Sequence, residues 1–169
     1  MYYPLLSNLR RKQINNHDID LLDWWLGTRR ANTRRHLNPL QFSLDCKIDT
    51  DHSIRLFSLC ALDENLGLLS VRYVSRCPNC DTVLSTQEQE FVPKIRDCYE
   101  CGGKYNQDIL KDKVEIYFSL NCAPQENIMK KEEVPIGGGQ GKAVSLQGLM
   151  VRNMLETNDE LSGLFECFL

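Results

Sequence analysis

Tyr73-Val74-Ser75-Arg76-Cys77-Pro78-Asn79-Cys80 and Cys98-Tyr99-Glu100-Cys101-Gly102-Gly103 are the stretches that decide how this chain is built. Each holds two cysteines with two residues between them, and seventeen residues, 81–97, separate the pairs. Two intervening residues let a tight turn present both thiolates to one ion, while the amides of the turn donate to the sulfurs. Glycine after the second pair permits the positive φ that closes such a turn. Two such knuckles on adjacent hairpins complete a tetrahedron of sulfur, the donor set that suits Zn²⁺ best. The spacing lies within the range of zinc ribbons. It predicts one structural Zn²⁺ held by Cys77, Cys80, Cys98 and Cys101. A shell of four thiolates is closed and leaves no position for an activated water or a substrate. The expected role is therefore a staple for a segment too small to bury its own core, and not catalysis. A thioredoxin-like site would need one Cys-x-x-Cys beside a βαβ unit, and neither pair has that context. Zinc release as a redox switch is open to any thiolate site, and nothing in the sequence singles it out.

The 169 residues are 42% hydrophobic and 25% charged, which suits one domain, or one domain with a small satellite. Collagen-like, low-complexity and wholly disordered classes are excluded. No stretch approaches the roughly 20 apolar residues that a bilayer core demands, so no spanning helix and no membrane partner are expected. Met1 to Leu9 lacks a long apolar core ahead of its basic residues, so no secretory signal is expected and the cytoplasm is the expected location. In such a reducing compartment, eight cysteines point to metal or redox chemistry more than to disulfides. Cys46, Cys60, Cys122 and Cys167 lie among Leu, Ile, Ala or Phe without a ligand partner, and most of them read as small buried hydrophobes. His17, His36 and His52 stand in no catalytic order and read as surface or capping residues.

The flanks of the knuckles supply the rest of the architecture. Leu68 to Arg76 alternates and reads as a strand entering the first knuckle; Lys113 to Leu120, with Val114, Ile116, Phe118 and Leu120 on one face, reads as its antiparallel return. Three helices are predicted upstream. Asp20 to Ala31, capped by Asn16 or Asp18, carries Leu21, Leu22, Trp25 and Leu26 on an apolar face. Asn38-Pro39 is a cap followed by proline at the first helical position, opening a short helix to about Lys47. His52 to Asn65, behind the capping cluster Asp49-Thr50-Asp51, ends before Gly67.

Three short helices and a two-stranded hairpin make an α+β class. On the Asn38-Pro39 helix start, the Ile54 to Leu62 helix, Gly67-Leu68-Leu69 and the run Tyr73 to Cys80, residues 18–120 resemble a winged helix-turn-helix domain whose wing carries a four-cysteine zinc ribbon. The resemblance implies a helical core with the first wing strand over 1–76, a ribbon over 77–103 and a return strand over 104–122. It also implies company: small proteins that look like this occur as accessory parts in bacterial conflict and defence gene sets.

In such folds the third helix reads the major groove. Here that helix offers His52, Ser53, Arg55, Ser58, Asp63 and Glu64, a meagre set for base and phosphate contacts. Net charge is −3, mildly against phosphate-driven binding. Positive charge gathers at Arg10, Arg11 and Lys12 and at Arg29, Arg30, Arg34 and Arg35. With Arg55, the four arginines of the second group are the candidate contacts to nucleic acid or another anionic partner, with a solvated surface as the plainer reading.

Residues 123–143 read as a flexible linker. Gly137 to Lys142 is no phosphate-binding loop, because Ile136 and Ala143 stand where glycine and Ser/Thr are required. Residues 144–169 read as a helical tail, Val144 to Glu156 and then a second helix opened by the capping box Thr157-Asn158-Asp159-Glu160. Leu161, Leu164, Phe165, Phe168 and Leu169 make its end very apolar, so it is expected to bury itself on the core, on a second copy in a homo-oligomer, or on a larger protein partner. The functional expectation is a non-catalytic, zinc-binding adaptor docked through this tail. A DNA-binding regulator using the Arg29–Arg35 region is the alternative.

Overall fold

A computed structural model describes residues 1–12, 14–63, 65–88, 95–111, 113–125 and 149–150. The chain is mixed α+β, with helices first and small antiparallel sheets after. Helix α1 spans Asn16–Thr28 and is capped by Asn15, whose side chain accepts from the His17 amide at 3.0 Å. It thus starts earlier than the sequence suggests and stops at Thr28 because Arg29 turns extended. Helix α2, Pro39–Cys46, follows its sequence signals: Asn38 accepts from the Leu40 amide at 2.9 Å, Pro39 opens the helix, and Lys47 closes it at φ 55°. Helix α3, Thr50–Leu62, is capped by Asp49 and ends at Asp63, so Gly67 lies in the following turn.

Strands β1, Leu69–Arg76, and β5, Val114–Leu120, pair antiparallel from Leu69↔Leu120 to Ser75↔Val114, as the alternation predicts. Between them lie β2 (Val83–Gln87), β3 (Ile95–Asp97), β4 (Lys104–Asn106) and the single-turn helix α4 (Gln107–Lys111). β2 pairs with β1 on its other side, and β3 with β4 in a separate ribbon. Leu37, between α1 and α2, exchanges two backbone hydrogen bonds of 2.8 Å with Phe118 of β5.

Strand β6, Leu149–Met150, pairs with Glu115 and Ile116 of β5 and completes the sheet order β2-β1-β5-β6. This corrects the helical reading of 144–156 at those two positions, where β5 offers backbone donors and acceptors that a helix could not use. The remainder of the tail, with Leu161, Leu164, Phe165, Phe168 and Leu169, and linker residues 126–143 lie outside the described residues. Gln125, at the start of the linker, donates its amide to Tyr2 O at 3.0 Å.

Aromatic rings join the three helices to the sheet. Trp25 of α1 meets Phe42 of α2 at 5.4 Å, Phe42 meets Phe57 of α3 at 5.7 Å, and Phe57 meets Phe118 of β5 at 5.3 Å. All four are buried, and edge-on geometry adds to their area burial.

The N-terminal segment is part of this core. Tyr3, Leu6 and Leu9 are buried, the last two on a 3-10 turn over Pro4–Lys12. Asp23 of α1 is buried and accepts the amides of Tyr2 and Tyr3, each at 2.7 Å. One turn on, a Cβ at Gly27 would lie 2.3 Å from the Tyr2 ring, so only glycine leaves that ring its seat. Replacing Asp23 by Ala leaves two amides without their acceptor and should lower unfolding stability by about 2–3 kcal/mol. Gly27→Ala should expel the same segment. Hydrogen exchange of residues 2–9 reads both, and unchanged protection in either variant refutes the linkage.

Candidate metal centre

Each knuckle sits at the turn between two strands. The first joins β1 to β2 and the second joins β3 to β4. They share one backbone pattern. Cys77 donates its amide to Thr82 O and accepts from the Asp81 amide, at 2.8 and 2.9 Å. Cys98 does the same with Gly103 and Gly102, both at 2.8 Å. The fifth residue of each knuckle is left-handed: Gly102 at φ 71° and Asp81 at φ 60°. Sequence reasoning found the glycine and missed its counterpart, since aspartate is among the side chains that tolerate this region.

The four sulfurs lie within 4.8 Å of one another. Cys77 Sγ is 3.6 Å from Cys101 Sγ, and Cys80 Sγ is 3.5 Å from Cys98 Sγ. These are no disulfides, whose sulfurs stand at about 2.05 Å. A tetrahedral ion with sulfur at about 2.3 Å would have edges of about 3.8 Å, close to what is found. The four cysteines are therefore in position to bind a metal, compatible with a zinc ribbon. The first cysteine of each knuckle is buried and the second exposed.

The surroundings favour the thiolate at Cys77 and Cys101 and oppose it at Cys98. Burial pushes the Cys77 thiol up, but the Tyr105 hydroxyl and the amides of Cys80 and Asn79 outweigh it and bring it down to about 6. Cys98 feels the Cys101 amide pulling down, yet burial and the neighbouring Cys80 and Cys101 sulfurs prevail and push it up to about 11. Cys101 is held below its ordinary value by the Gly103 amide, the Tyr105 hydroxyl and the Asn79 side chain. Cys80 Sγ has the Thr82 hydroxyl at 3.3 Å. The Tyr105 phenol is itself raised, by its Cys77 and Cys101 partners first and burial after.

The other cysteines divide. Cys60 is buried and Cys46 half-buried, and burial raises both thiols, Cys60 to about 12 and Cys46 to about 11. Cys122 is exposed and so is not among the buried ones, and Cys167 lies outside the described residues.

The arginines do not form one free patch. Arg29 pairs with Asp45 at 2.7 Å and lies over the Trp25 ring at 4.0 Å. Asp45 also accepts from Trp25 Nε1 at 2.8 Å and from Gln41 at 2.6 Å, which makes Arg29 part of the α1–α2 joint. Arg34 donates through Nε to Arg29 O at 2.9 Å. Arg30, Arg35 and Arg55 are exposed. On α3, Ser53 and Ser58 are buried, against their expected place on a reading face; Ser53 Oγ donates to Pro39 O at 2.6 Å. The sequence also missed that His52 Nε2 lies 3.0 Å from Asp18 Oδ2. Among the described residues no helix is long and apolar enough to cross a membrane.

Metal binding requires four thiolates, so loading expels whatever protons the free cluster holds, the Cys98 proton foremost. Affinity should rise with pH and fall on acidification, most steeply once the Cys77 thiolate, near 6, also reprotonates. Zinc retained against a buffered chelator, measured from about pH 8 to about pH 5, checks the sign. A flat profile refutes four-thiolate ligation.

Comparison with known proteins gives no second footing: no family model matches the chain, and no curated protein or solved structure is significantly similar to it.

Proposed function

We propose that this chain is a non-catalytic zinc-binding adaptor: a rigid recognition head stapled by Zn²⁺ and tethered to a larger protein through its C-terminal tail. The observation that carries the reading is the four-sulfur cluster. Its donors are all cysteine sulfurs close to tetrahedral spacing, the chemistry that selects Zn²⁺ over harder cations, and an all-protein shell leaves no open position for a reacting molecule. Zinc here would supply folding energy to a pair of hairpins with little core of their own.

The winged-helix reading draws support from the order of elements: α1, the Leu37 bridge on β5, α2, α3, then the β1–β5 hairpin with the ribbon at its far end. The use of the head as a protein-docking module draws support from α3. Ser53, Ile54, Leu56, Phe57, Ser58 and Cys60 are all buried, leaving Asp51 and Arg55 among its few exposed side chains. That is too little for a groove-reading helix. The tail is given to the partner on its apolar sequence, Leu161 to Leu169, beginning after β6 ties the chain to the head. An accessory role in bacterial antiphage defence rests on the family resemblance alone.

Elemental analysis of protein purified without chelator should find one zinc per chain, and Cys98→Ser should abolish it while the helices keep most of their circular dichroism. Zinc well below one equivalent in the unaltered chain refutes the assignment. Deleting 151–169, which spares β6, should release the partner in a pull-down but keep the zinc; a partner retained by the shortened chain refutes the tether. Retention on duplex DNA that weakens steeply with salt would put the DNA-binding alternative, through Arg30, Arg35 and Arg55, in place of the adaptor.

A further inference from the structure

Tyr105 stands out among the residues around the cluster. Its hydroxyl lies 3.4 Å from Cys77 Sγ and 3.6 Å from Cys101 Sγ, one sulfur from each knuckle. Those two sulfurs are themselves 3.6 Å apart, so the hydroxyl sits over one edge of the tetrahedron. Local backbone amides serve Cys77 and Cys98 within their own turns. The Tyr105 hydroxyl, by contrast, is shared between the two turns.

Its position is built, not incidental. The ring is half-buried against the hydrophobic core, and Leu110, in the helix α4 that follows β4, is fully buried. On the ribbon side, Gly103 gives the phenol its space. A Cβ there would fall 2.3 Å from the hydroxyl oxygen and 2.7 Å from the carbon that bears it. The glycine is therefore needed for close approach, separately from the left-handed turn that Gly102 makes.

A metal held by four thiolates carries two net negative charges, which the protein must offset with donors aimed at sulfur. Hydrogen-bonded partners behind the ligands orient them and tune the metal, and losing one costs about 10–100-fold in metal affinity. We propose that Tyr105 is a positioning residue of the metal centre, its hydroxyl set over the Cys77–Cys101 edge and sharing its single proton between the two thiolates so as to slow metal loss, with Gly103 as the vacancy that admits it. This deepens the zinc reading above and rests on it. The bridge matters most at Cys101, the exposed member of the pair. By joining a sulfur of the β1–β2 knuckle to one of the β3–β4 knuckle, it also resists the separation of hairpins through which zinc must leave.

The test compares the full chain with Tyr105→Phe, which keeps the ring and removes the donor. Zinc content, zinc transfer to a chromophoric chelator and the cobalt-substituted spectrum are read for both. Tyr105→Phe should still bind one zinc, release it about 10–100-fold more readily, and move the thiolate-to-cobalt charge-transfer band to lower energy with tetrahedral ligand-field bands unchanged. A merely structural role would not move the charge-transfer band. Gly103→Ala should likewise release zinc faster, since it displaces the same hydroxyl. If Tyr105→Phe releases zinc at the original rate with an unshifted band, the bridge is refuted while the zinc site stands. If the unaltered chain holds no zinc, the metal reading itself fails.

Discussion

The antiparallel ladder between β1 and β5 is the constraint that everything else in this protein depends on. It runs without interruption from Leu69↔Leu120 to Ser75↔Val114 and is extended by the Arg76 amide on Lys113 O at 3.0 Å. One end is welded to the helices: Phe118 meets Phe57, Leu37 bridges to Phe118, and the Leu68 amide donates to Cys60 O of α3. The other end passes directly into Cys77. The ladder therefore fixes where the ribbon starts and where it returns, β2 is held on β1, and the cysteine cluster joins the two knuckles. Closing so long an excursion costs entropy, which a metal held by the four cysteines would help to offset. Cluster and helical core lie at opposite ends of the same hairpin.

A second device guards the junction. Glu115 is buried, and its carboxylate accepts from Arg76 Nε at 2.7 Å and from the Tyr117 hydroxyl at 3.0 Å. Arg76 also donates to Asp81 O at 3.2 Å, within the first knuckle. A buried carboxylate is costly unless paired, and these donors satisfy Glu115 where the ribbon mounts on the hairpin. The tail strand lies on the same spot, with Met150 opposite Glu115.

Features governed by short-range chemistry were legible in the sequence. The Cys-x-x-Cys spacing gave both knuckles, Asn38-Pro39 and Asp49 gave the starts of α2 and α3, and alternation gave β1 and β5. Features governed by packing were not. Asp23 reads as a solvated helix residue until Tyr2 and Tyr3 bring their amides to it, and nothing local announces that. Ser53 and Ser58 look like a polar face because sequence cannot show that Pro39 O waits for one of them. Tyr105 stands four positions after Cys101, outside any ligand motif, and only the fold of β4 returns its hydroxyl to the sulfurs. Leu149–Met150 carries too short a strand for periodicity to register.

The same distinction governs the charge. Arg29, Arg30, Arg34 and Arg35 form one cluster when written in a line, the signature expected of a surface for anions. In the fold, Arg29 is spent between Asp45 and the Trp25 ring, and Arg34 bonds the backbone that Arg29 leaves behind. Removing Arg29 would unpair a carboxylate that also holds Trp25 and Gln41, so its loss would be felt first in the α1–α2 joint. A charge cluster becomes a binding surface only to the extent that its members are not already bound, and here Arg29 and Arg34 already are, while Arg30 and Arg35 stay exposed.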